Sequence, residues 1–221
     1  MKTSTKQLIG EFFASFMLAY FGLGTIVALA VYKTVNDTFE FGLFFGLIVA
    51  VVIIITNPIS GAHFNPAVTI SMAASKRMSW EMVIPYIITQ VAGWWAGAML
   101  LYATFGPDIT KFEAANGIVR GSGESVATAT IFFCATTANL FIVFLVEFMI
   151  TALLLVSICS FIDQRNAWRP SNALFPIMIG FIVAIVITFA GPITGAALNP
   201  ARDFGPRIAA WMMGWGQVAF P

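Results

Sequence analysis

Five apolar runs dominate this chain of 221 residues, and their lengths constrain the fold more than any other feature. A membrane-spanning helix needs about 20 mostly apolar residues, with a range of about 17–25. Four of the runs reach this range and one, 41–56, is slightly shorter. The runs are 8–32, 41–56, 82–105, 138–162 and 173–190. Charged residues make up only 10% of the chain, against about 25% in soluble domains. The sequence therefore predicts an all-α membrane protein in contact with the lipid bilayer.

The charge and the reactive side chains exclude several functional classes. A net charge of +1 provides no basic face for a nucleic acid. His63 is the single histidine, and Cys134 and Cys159 have neither metal-ligand nor disulfide-framework spacing. There is no paired set of aspartates and no serine–histidine set. We therefore expect no metal, no cofactor, no nucleic-acid partner and no enzymatic activity.

Two further segments, 66–75 and 200–211, are too short to span a membrane, and each begins with Asn-Pro-Ala after a glycine-containing stretch. Both lie in the frame Gly-Ala-x-x-Asn-Pro-Ala. Asparagine is a favoured N-cap, because its side-chain oxygen accepts from backbone N–H groups of the first turn. Proline suits the first helical position. The motifs consist of Asn65, Pro66 and Ala67, and of Asn199, Pro200 and Ala201. We predict two re-entrant half-helices.

The order of these features repeats along the chain. Glu11 precedes Asn65 by 54 residues, and Glu147 precedes Asn199 by 52. Three spans separate the start of one half from the start of the other, so the second half must begin on the opposite side of the membrane. This indicates an inverted repeat with a solute path at the repeat interface.

We therefore expect one channel domain, 1–221, with repeats at about 5–106 and 136–221. Each repeat should hold three transmembrane helices and one half-helix. The symmetry predicts a sixth span after the second half-helix. We expect that the second repeat lacks it either because the sequence is truncated or because the last helix lies beyond this chain.

The basic residues of the connecting loops predict the orientation. An excess of Lys and Arg marks the cytoplasmic side. With the N-terminus inside, six lie in cytoplasmic segments and three outside. The inner six are Lys2, Lys6, Lys76, Arg77, Arg165 and Arg169, and the outer three are Lys33, Lys111 and Arg120. The sequence favours a cytoplasmic N-terminus.

Two half-helices that enter from opposite faces should meet near the midplane with their N-termini facing. Each N-terminus carries about half a positive charge, so the junction should repel cations. If each asparagine caps its helix through oxygen, its NH2 group remains free. Asn65 and Asn199 would then offer two fixed donors to the oxygen of a neutral solute. This is the arrangement of a pore for uncharged molecules.

The stretches "SGAHFNPAVT" and "GPITGAALNPARDFGPR" resemble the two signature loops of the major intrinsic protein (aquaporin) family. "GIVRGSGES" and "NPARDFGPR" resemble its glycerol-facilitator branch in particular. The resemblance implies an aquaporin-like right-handed bundle and a homotetramer of independent pores in the plasma membrane. It also implies passive diffusion of glycerol, water and other small neutral molecules, with protons and ions excluded.

The same resemblance places Arg202 in a narrow filter near the outer side, together with Phe45, Ile187 and Ala196. Its guanidinium would donate to solute hydroxyls and repel cations, as arginine does in aquaporin-type pores generally. Water-selective members typically have histidine at the Ile187 position. Glycerol filters typically pair two aromatic residues with a small one, and this chain departs from that pattern. The alternatives are a water-dominant channel, or one for urea or neutral lactic acid.

The resemblance makes Glu11 and Glu147 buried acceptors for the backbone N–H groups of the two loops. His63 is expected to support its loop, and Asp203 to mark glycerol-type channels and support the second loop. An intramembrane carboxylate can also carry protons. The alternative from another functional class is therefore a proton-coupled secondary transporter in which the two glutamates titrate.

Overall fold

The computed structural model describes residues 3–221, and this part of the chain is helical with no β-strand. Lys2, counted above among the inner cations, lies outside the described residues. Five of the helices are long and apolar enough to cross a membrane. A short helix follows the second of them and another follows the fifth. In chain order they are α1 (Ser4–Tyr32), α2 (Thr38–Ser60), α3 (Pro66–Ala74), α4 (Val83–Ala115), α5 (Leu140–Ile162), α6 (Phe175–Thr194) and α7 (Pro200–Ala210).

The five predicted spans and the two predicted half-helices are confirmed, with differences at their ends. Helix α4 continues ten residues past the predicted end at 105. It passes Pro107 because its last turns pack against the following loop, where Ile109 and Glu113 are buried. The sequence pattern missed this extension because the added residues include charged ones.

The two connections before the half-helices are shorter than predicted. The stretches 57–60 and 191–194 form the last turns of α2 and α6 and not loop. Gly61 and Gly195 then end the helices in the left-handed conformation, with φ of 88° and 83°, as is common after a helix C-terminus. In these two connections only residues 61–65 and 195–199 are non-helical. They are here called loop 1 and loop 2.

Helices α2 and α6 occupy corresponding places in the two repeats and pack closely against each other. A Cβ atom on Gly46 would lie 2.2 Å from the carbonyl oxygen of Gly180, and one on Gly180 would lie 2.4 Å from that of Gly46. The two backbones are therefore in direct contact, which only small residues permit.

Both half-helices pack against α4. Helix α3 packs against α4 and α5, and α7 packs mainly against α4. The side chains of Arg77 and Arg169 lie at one mouth of the central path, whereas Arg202 follows the N-terminus of α7 on the other side of the junction. The inverted arrangement of the two repeats is confirmed. Which mouth faces the cytoplasm stays a prediction from the basic loops.

The α2–α6 contact predicts the effect of a single methyl group. Gly46→Ala should force the two helices apart, at a cost of about 1–3 kcal/mol in the free energy of unfolding. Thermal unfolding of the detergent-solubilised protein measures this effect. Gly24→Ala is the matched control, because its Cβ would be 3.7 Å from the nearest atom, Leu101 Cδ1. Equal melting temperatures for the two variants would contradict the prediction.

Candidate functional site

The two asparagines cap the half-helices as the sequence predicts. The Oδ1 atom of Asn65 accepts from the N–H of Ala67 at 2.9 Å. The Oδ1 atom of Asn199 accepts from the N–H groups of Ala201 at 3.0 Å and Arg202 at 3.2 Å. Both side chains are buried. The caps fix each amide plane relative to its helix axis.

The NH2 groups of the two asparagines are not entirely free, which corrects the expectation above. Asn65 Nδ2 donates to the carbonyl oxygen of Leu198 at 3.2 Å. Asn199 Nδ2 donates to the carbonyl oxygen of Phe64 at 2.8 Å. Each asparagine thus binds the loop of the opposite repeat, and the two N-termini meet. An amide NH2 has two hydrogens, so one hydrogen of each remains available to a solute.

Both loops adopt the same strained backbone. Positive φ values occur at two non-glycine residues in each: Ala62 and Phe64 in loop 1, and Ala196 and Leu198 in loop 2. Such conformations cost about 1–3 kcal/mol each and persist only where the surrounding contacts hold them. The pattern also turns successive N–H groups toward one point, a concavity that binds anions.

Glu11 fills this concavity in the first repeat. Its side chain is fully buried and accepts from the N–H groups of His63 at 2.9 Å and Phe64 at 2.7 Å. It also accepts from Ser60 Oγ and from Gln90 Nε2, each at 2.7 Å. Both carboxylate oxygens are therefore occupied by donors of the protein.

Glu147 does the same in the second repeat. It accepts from the N–H groups of Ala197 at 3.1 Å and Leu198 at 2.8 Å, and from Thr194 Oγ1 at 2.5 Å. Its side chain is only half-buried among the described residues. Neither glutamate lines the central cavities. The geometry fits an acceptor that holds a loop.

Sequence reasoning missed three polar partners of these glutamates. Ser60 and Thr194 stand five residues before the two asparagines, so a hydroxyl in the same position of both repeats was a readable signal. Gln90 is fully buried and also donates to Thr69 Oγ1 at 2.9 Å. A glutamine inside an apolar span was its signal. His63 supports loop 1 through its backbone N–H, and its ring lies 3.2 Å from Thr69 Oγ1.

Two cavities meet at the asparagine junction and differ greatly in width. The narrow cavity has a volume of about 40 Å³ and includes Arg202 in its lining. The wide cavity has a volume of about 470 Å³ and opens toward Arg77 and Arg169. Asn65 lines both. A water molecule occupies about 30 Å³ in the liquid, so the narrow cavity has room for only a few small molecules at a time.

The family resemblance assigns four residues to a filter, and all four contribute to the lining of the narrow cavity: Phe45, Ile187, Ala196 and Arg202. Asn65 and Asn199 also line this cavity. Phe45 is held by the edge of Phe41, with 5.7 Å between ring centroids. A Cβ on Gly22 would lie 2.8 Å from the Phe45 ring, so the ring lies directly against the backbone of α1.

The walls of the narrow cavity have different chemistry. One wall is apolar and is formed by side chains of α1, α2, α5 and α6, among them Phe45, Val183 and Ile187. The other is formed by loop 2, Asn199 and Arg202 and carries hydrogen-bonding groups. A solute with a carbon face and a hydroxyl face matches both walls.

Arg202 is 6% exposed and makes one side-chain hydrogen bond, from Nη1 to the carbonyl oxygen of Phe132 at 3.0 Å. The ion pairs of residues 3–221 join other arginines to Glu113, Asp163 and Asp203. A guanidinium has five N–H donors. Arg202 lines the narrow cavity, and the donors that have no protein partner within residues 3–221 are available to a solute there.

Asp203 does not face the cavity. Its carboxylate accepts from the N–H of Cys134 at 2.8 Å and pairs with Arg207, whose Nη2 lies 3.0 Å from Oδ2. Arg207 also donates to the carbonyl oxygen of Cys134 at 2.8 Å and lies over the ring of Phe133. Asp203 and Arg207 thus hold the segment that presents the Phe132 carbonyl to Arg202. Sequence reasoning did not single out Phe132 or Arg207.

Within residues 3–221, no three His, Cys, Asp or Glu side chains come together as a group that could hold a metal ion.

Comparison with known proteins gives consistent results. The sequence model of the family described as Major intrinsic protein matches residues 1–219. The glycerol uptake facilitator protein of Escherichia coli (strain K12) is 41% identical over 216 residues, which cover 97% of this chain and 76% of the relative. The propanediol uptake facilitator PduF of Citrobacter freundii is 40% identical over 215 residues, covering 96% and 80%.

A solved structure, that of the aquaglyceroporin from Plasmodium falciparum, superposes with a TM-score of 0.84. The alignment covers 98% of this chain and 85% of that chain, at 24% sequence identity. At this identity the similarity concerns the fold alone.

The carboxylate–loop contacts predict a difference between two matched substitutions. Glu11→Gln replaces one acceptor oxygen by an NH2 group that faces donors, and unsatisfied buried groups cost about 1–3 kcal/mol each. Glu147→Gln should cost less, because Glu147 is more exposed and has three donors and not four. Thermal unfolding measures the order of stability, which we expect to be wild type, Glu147→Gln, Glu11→Gln. The reverse order of the two variants would count against this account of the loops.

Proposed function

This chain belongs to the major intrinsic protein family, and we propose that it is a passive channel for glycerol and related small polyols. It passes small neutral solutes and is not an enzyme. Its relatives named for glycerol and propanediol uptake support the polyol preference. The observation that carries the proposal is the narrow cavity, whose lining combines apolar side chains with Arg202 and Asn199.

The two walls allow a polyol to leave water at low cost. In so small a cavity the solute loses most of its hydration shell, and unpaired hydroxyls would be costly. Hydroxyls on one edge of the solute bind the guanidinium of Arg202 and the backbone of loop 2. The carbon edge lies on Phe45 and Ile187. Ions lack such a compensation, since their charge needs complete solvation.

Cations meet two further barriers in this scheme. Arg202 is buried at the constriction without an acidic partner in residues 3–221. The N-termini of α3 and α7 also face each other at the junction, each with about half a positive charge. One remaining hydrogen on Asn65 and one on Asn199 donate to a passing oxygen. A water held in this way has its own hydrogens turned away from the junction, which interrupts proton transfer along a file of waters.

The proton-coupled alternative has little support in the geometry. It needs a carboxylate in the path, and the two candidates, Glu11 and Glu147, accept backbone N–H groups outside the cavity linings. A channel dominated by water, urea or neutral lactic acid remains the alternative within the family. It is distinguished by measuring which solute permeates fastest.

We also propose the cellular setting that the sequence suggests. The protein lies in the plasma membrane with its N-terminus in the cytoplasm, so that the wide cavity with Arg77 and Arg169 opens inward. It assembles as a homotetramer in which each chain is one channel domain with its own pore. Apolar side chains exposed on α5, such as Phe144 and Phe148, are available to lipid or to a neighbouring subunit.

The first functional prediction concerns solute choice and energy coupling. Liposomes that contain the protein should swell in a glycerol gradient much faster than empty liposomes, and a protonophore should not change the rate. Stopped-flow light scattering measures the rates for glycerol, water, urea and lactic acid at low pH. Swelling that collapses with the protonophore would support the transporter, and glycerol slower than urea or lactic acid would reject the polyol preference.

The second functional prediction concerns Arg202. Arg202→Val removes the fixed charge and should raise proton and small-cation leak by about tenfold or more, because a charge at a dry site contributes more than about 1.4 kcal/mol to the barrier. A pH-sensitive dye inside the liposomes measures the leak. Arg165→Val is the control, because Arg165 is exposed in the ion pair with Asp163. A proton leak equal to that of wild type would falsify the role of Arg202.

A further inference from the structure

A second arginine, Arg120, whose side chain is 17% exposed, lies outside the path and takes no part in the function described so far. Its guanidinium contacts both carboxylate oxygens of Glu113, with Nη2 donating to Oε2 at 2.6 Å and Nε donating to Oε1 at 3.3 Å. It also donates to Thr110 Oγ1 at 2.9 Å. Glu113 is 4% exposed. A largely buried pair of this kind fixes both side chains closely, since neither can leave without exposing the other charge to an apolar surrounding.

The Arg120 guanidinium is held between two aromatic rings. Its Cζ atom lies 4.3 Å from the centroid of the Trp215 ring and 5.3 Å from that of the Tyr102 ring. Arginine stacks on aromatic faces through its planar, weakly hydrated cation. Trp215 is fully buried, and its indole N–H donates to Thr128 Oγ1 at 3.1 Å. Thr128 in turn donates to Glu113 at 2.6 Å. Arg120, Trp215, Thr128 and Glu113 therefore form a closed ring of contacts.

Phe132 connects this cluster to the filter. Its ring is fully buried, 5.1 Å from the centroid of Trp215 and 6.4 Å from that of Tyr102. Its carbonyl oxygen is the acceptor for Arg202 Nη1. A contact chain thus runs from Arg120 through Trp215 and Phe132 to Arg202, while neither Arg120 nor Glu113 lines the narrow cavity.

We propose that Arg120, paired with Glu113, is a positioning residue that sets the selectivity of the filter through Trp215 and Phe132. The proposal rests on the proposed function and deepens it. Asp203 and Arg207 fix the segment at Cys134, only two residues after Phe132. The Arg120 cluster fixes the same segment at Phe132, because the Phe132 ring packs against Trp215 and Tyr102. Together, the Asp203–Arg207 pair and the Arg120 cluster hold the carbonyl oxygen of Phe132 within hydrogen-bond distance of Arg202 Nη1.

Loss of the contacts that Arg120 makes lowers the permeability to glycerol more than the permeability to water. Glycerol has to match several donors of the filter at once, so a displaced guanidinium lowers its permeability strongly. Water is small and needs one donor at a time. A role limited to folding would instead lower both permeabilities in proportion to the amount of folded channel. The ratio of glycerol to water permeability therefore separates positioning from stability.

The experiment compares Arg120→Gln with wild type in liposomes, with each rate normalised to the amount of folded protein. We expect the glycerol-to-water ratio to fall about fivefold, in the range of measured couplings between contacting residues. Arg120→Lys keeps the charge but not the planar stack, so its ratio should lie between the two. Arg165→Gln is the matched control and should leave the ratio unchanged, because its exposed ion pair with Asp163 is remote from the filter.

A double-mutant cycle with Arg202→Val tests the route. In the Arg202→Val background, Arg120→Gln should change the ratio no further, because the residue it positions is gone. An equal fivefold fall in both backgrounds would overturn the proposal, as would an unchanged ratio in folded Arg120→Gln. Should Arg120→Gln not fold, Phe132→Leu keeps the carbonyl and removes the ring. It should lower the ratio in the same way, and a wild-type ratio in this variant would overturn the proposal.

The failures of the two proposals are distinguishable. A wild-type protein without glycerol permeability sinks the proposed function itself. A wild-type protein that conducts glycerol, with an Arg120→Gln ratio equal to its own, sinks only the positioning role of Arg120.

Discussion

Two carboxylates that bind backbone N–H groups make the rest of this structure possible. Non-helical backbone at membrane depth persists only where the protein satisfies its polar groups or a cavity hydrates them. Glu11 and Glu147 supply that partner for loops 1 and 2, and thereby stabilise left-handed residues that would otherwise relax. With the loops fixed, the two half-helices stop at the midplane. Their asparagine caps can then bind each other's loops and leave a gap between them.

The polar groups of the protein divide into a symmetric and an asymmetric set. The symmetric set consists of the glutamates, the hydroxyls of Ser60 and Thr194, and the asparagine caps, and it builds the passage in the same way from both repeats. The asymmetric set lies at one mouth only and centres on Arg202. The cavity of about 40 Å³ includes Arg202 in its lining, whereas the cavity of about 470 Å³ does not. The groups that hold the two loops are therefore distinct from the charged group at the smaller cavity.

Much of the fold and part of the site could be predicted from the sequence. The spans follow from the lengths of the apolar runs, and the half-helix starts from local Asn-Pro chemistry. Residues Phe45, Ile187, Ala196 and Arg202 came from a family resemblance, and all of them line the narrow cavity. The predicted end of α4 was wrong, because tertiary contacts of Glu113 extend the helix beyond its apolar run. The prediction that the asparagine NH2 groups are free was wrong, because each group donates to a carbonyl oxygen of the other repeat.

The sequence by itself determined the number of spans, the inverted repeat and the capped half-helices, since each depends on residues that are close along the chain or on run length relative to a bilayer. Only the tertiary structure decided which carbonyl holds Arg202, because Phe132 is distant in sequence and acts through its backbone, which every residue has. The same holds for the Arg120 stack, whose members come from three separate segments. Such contacts depend on how helices and loops pack in space, and no local pattern of residues encodes them.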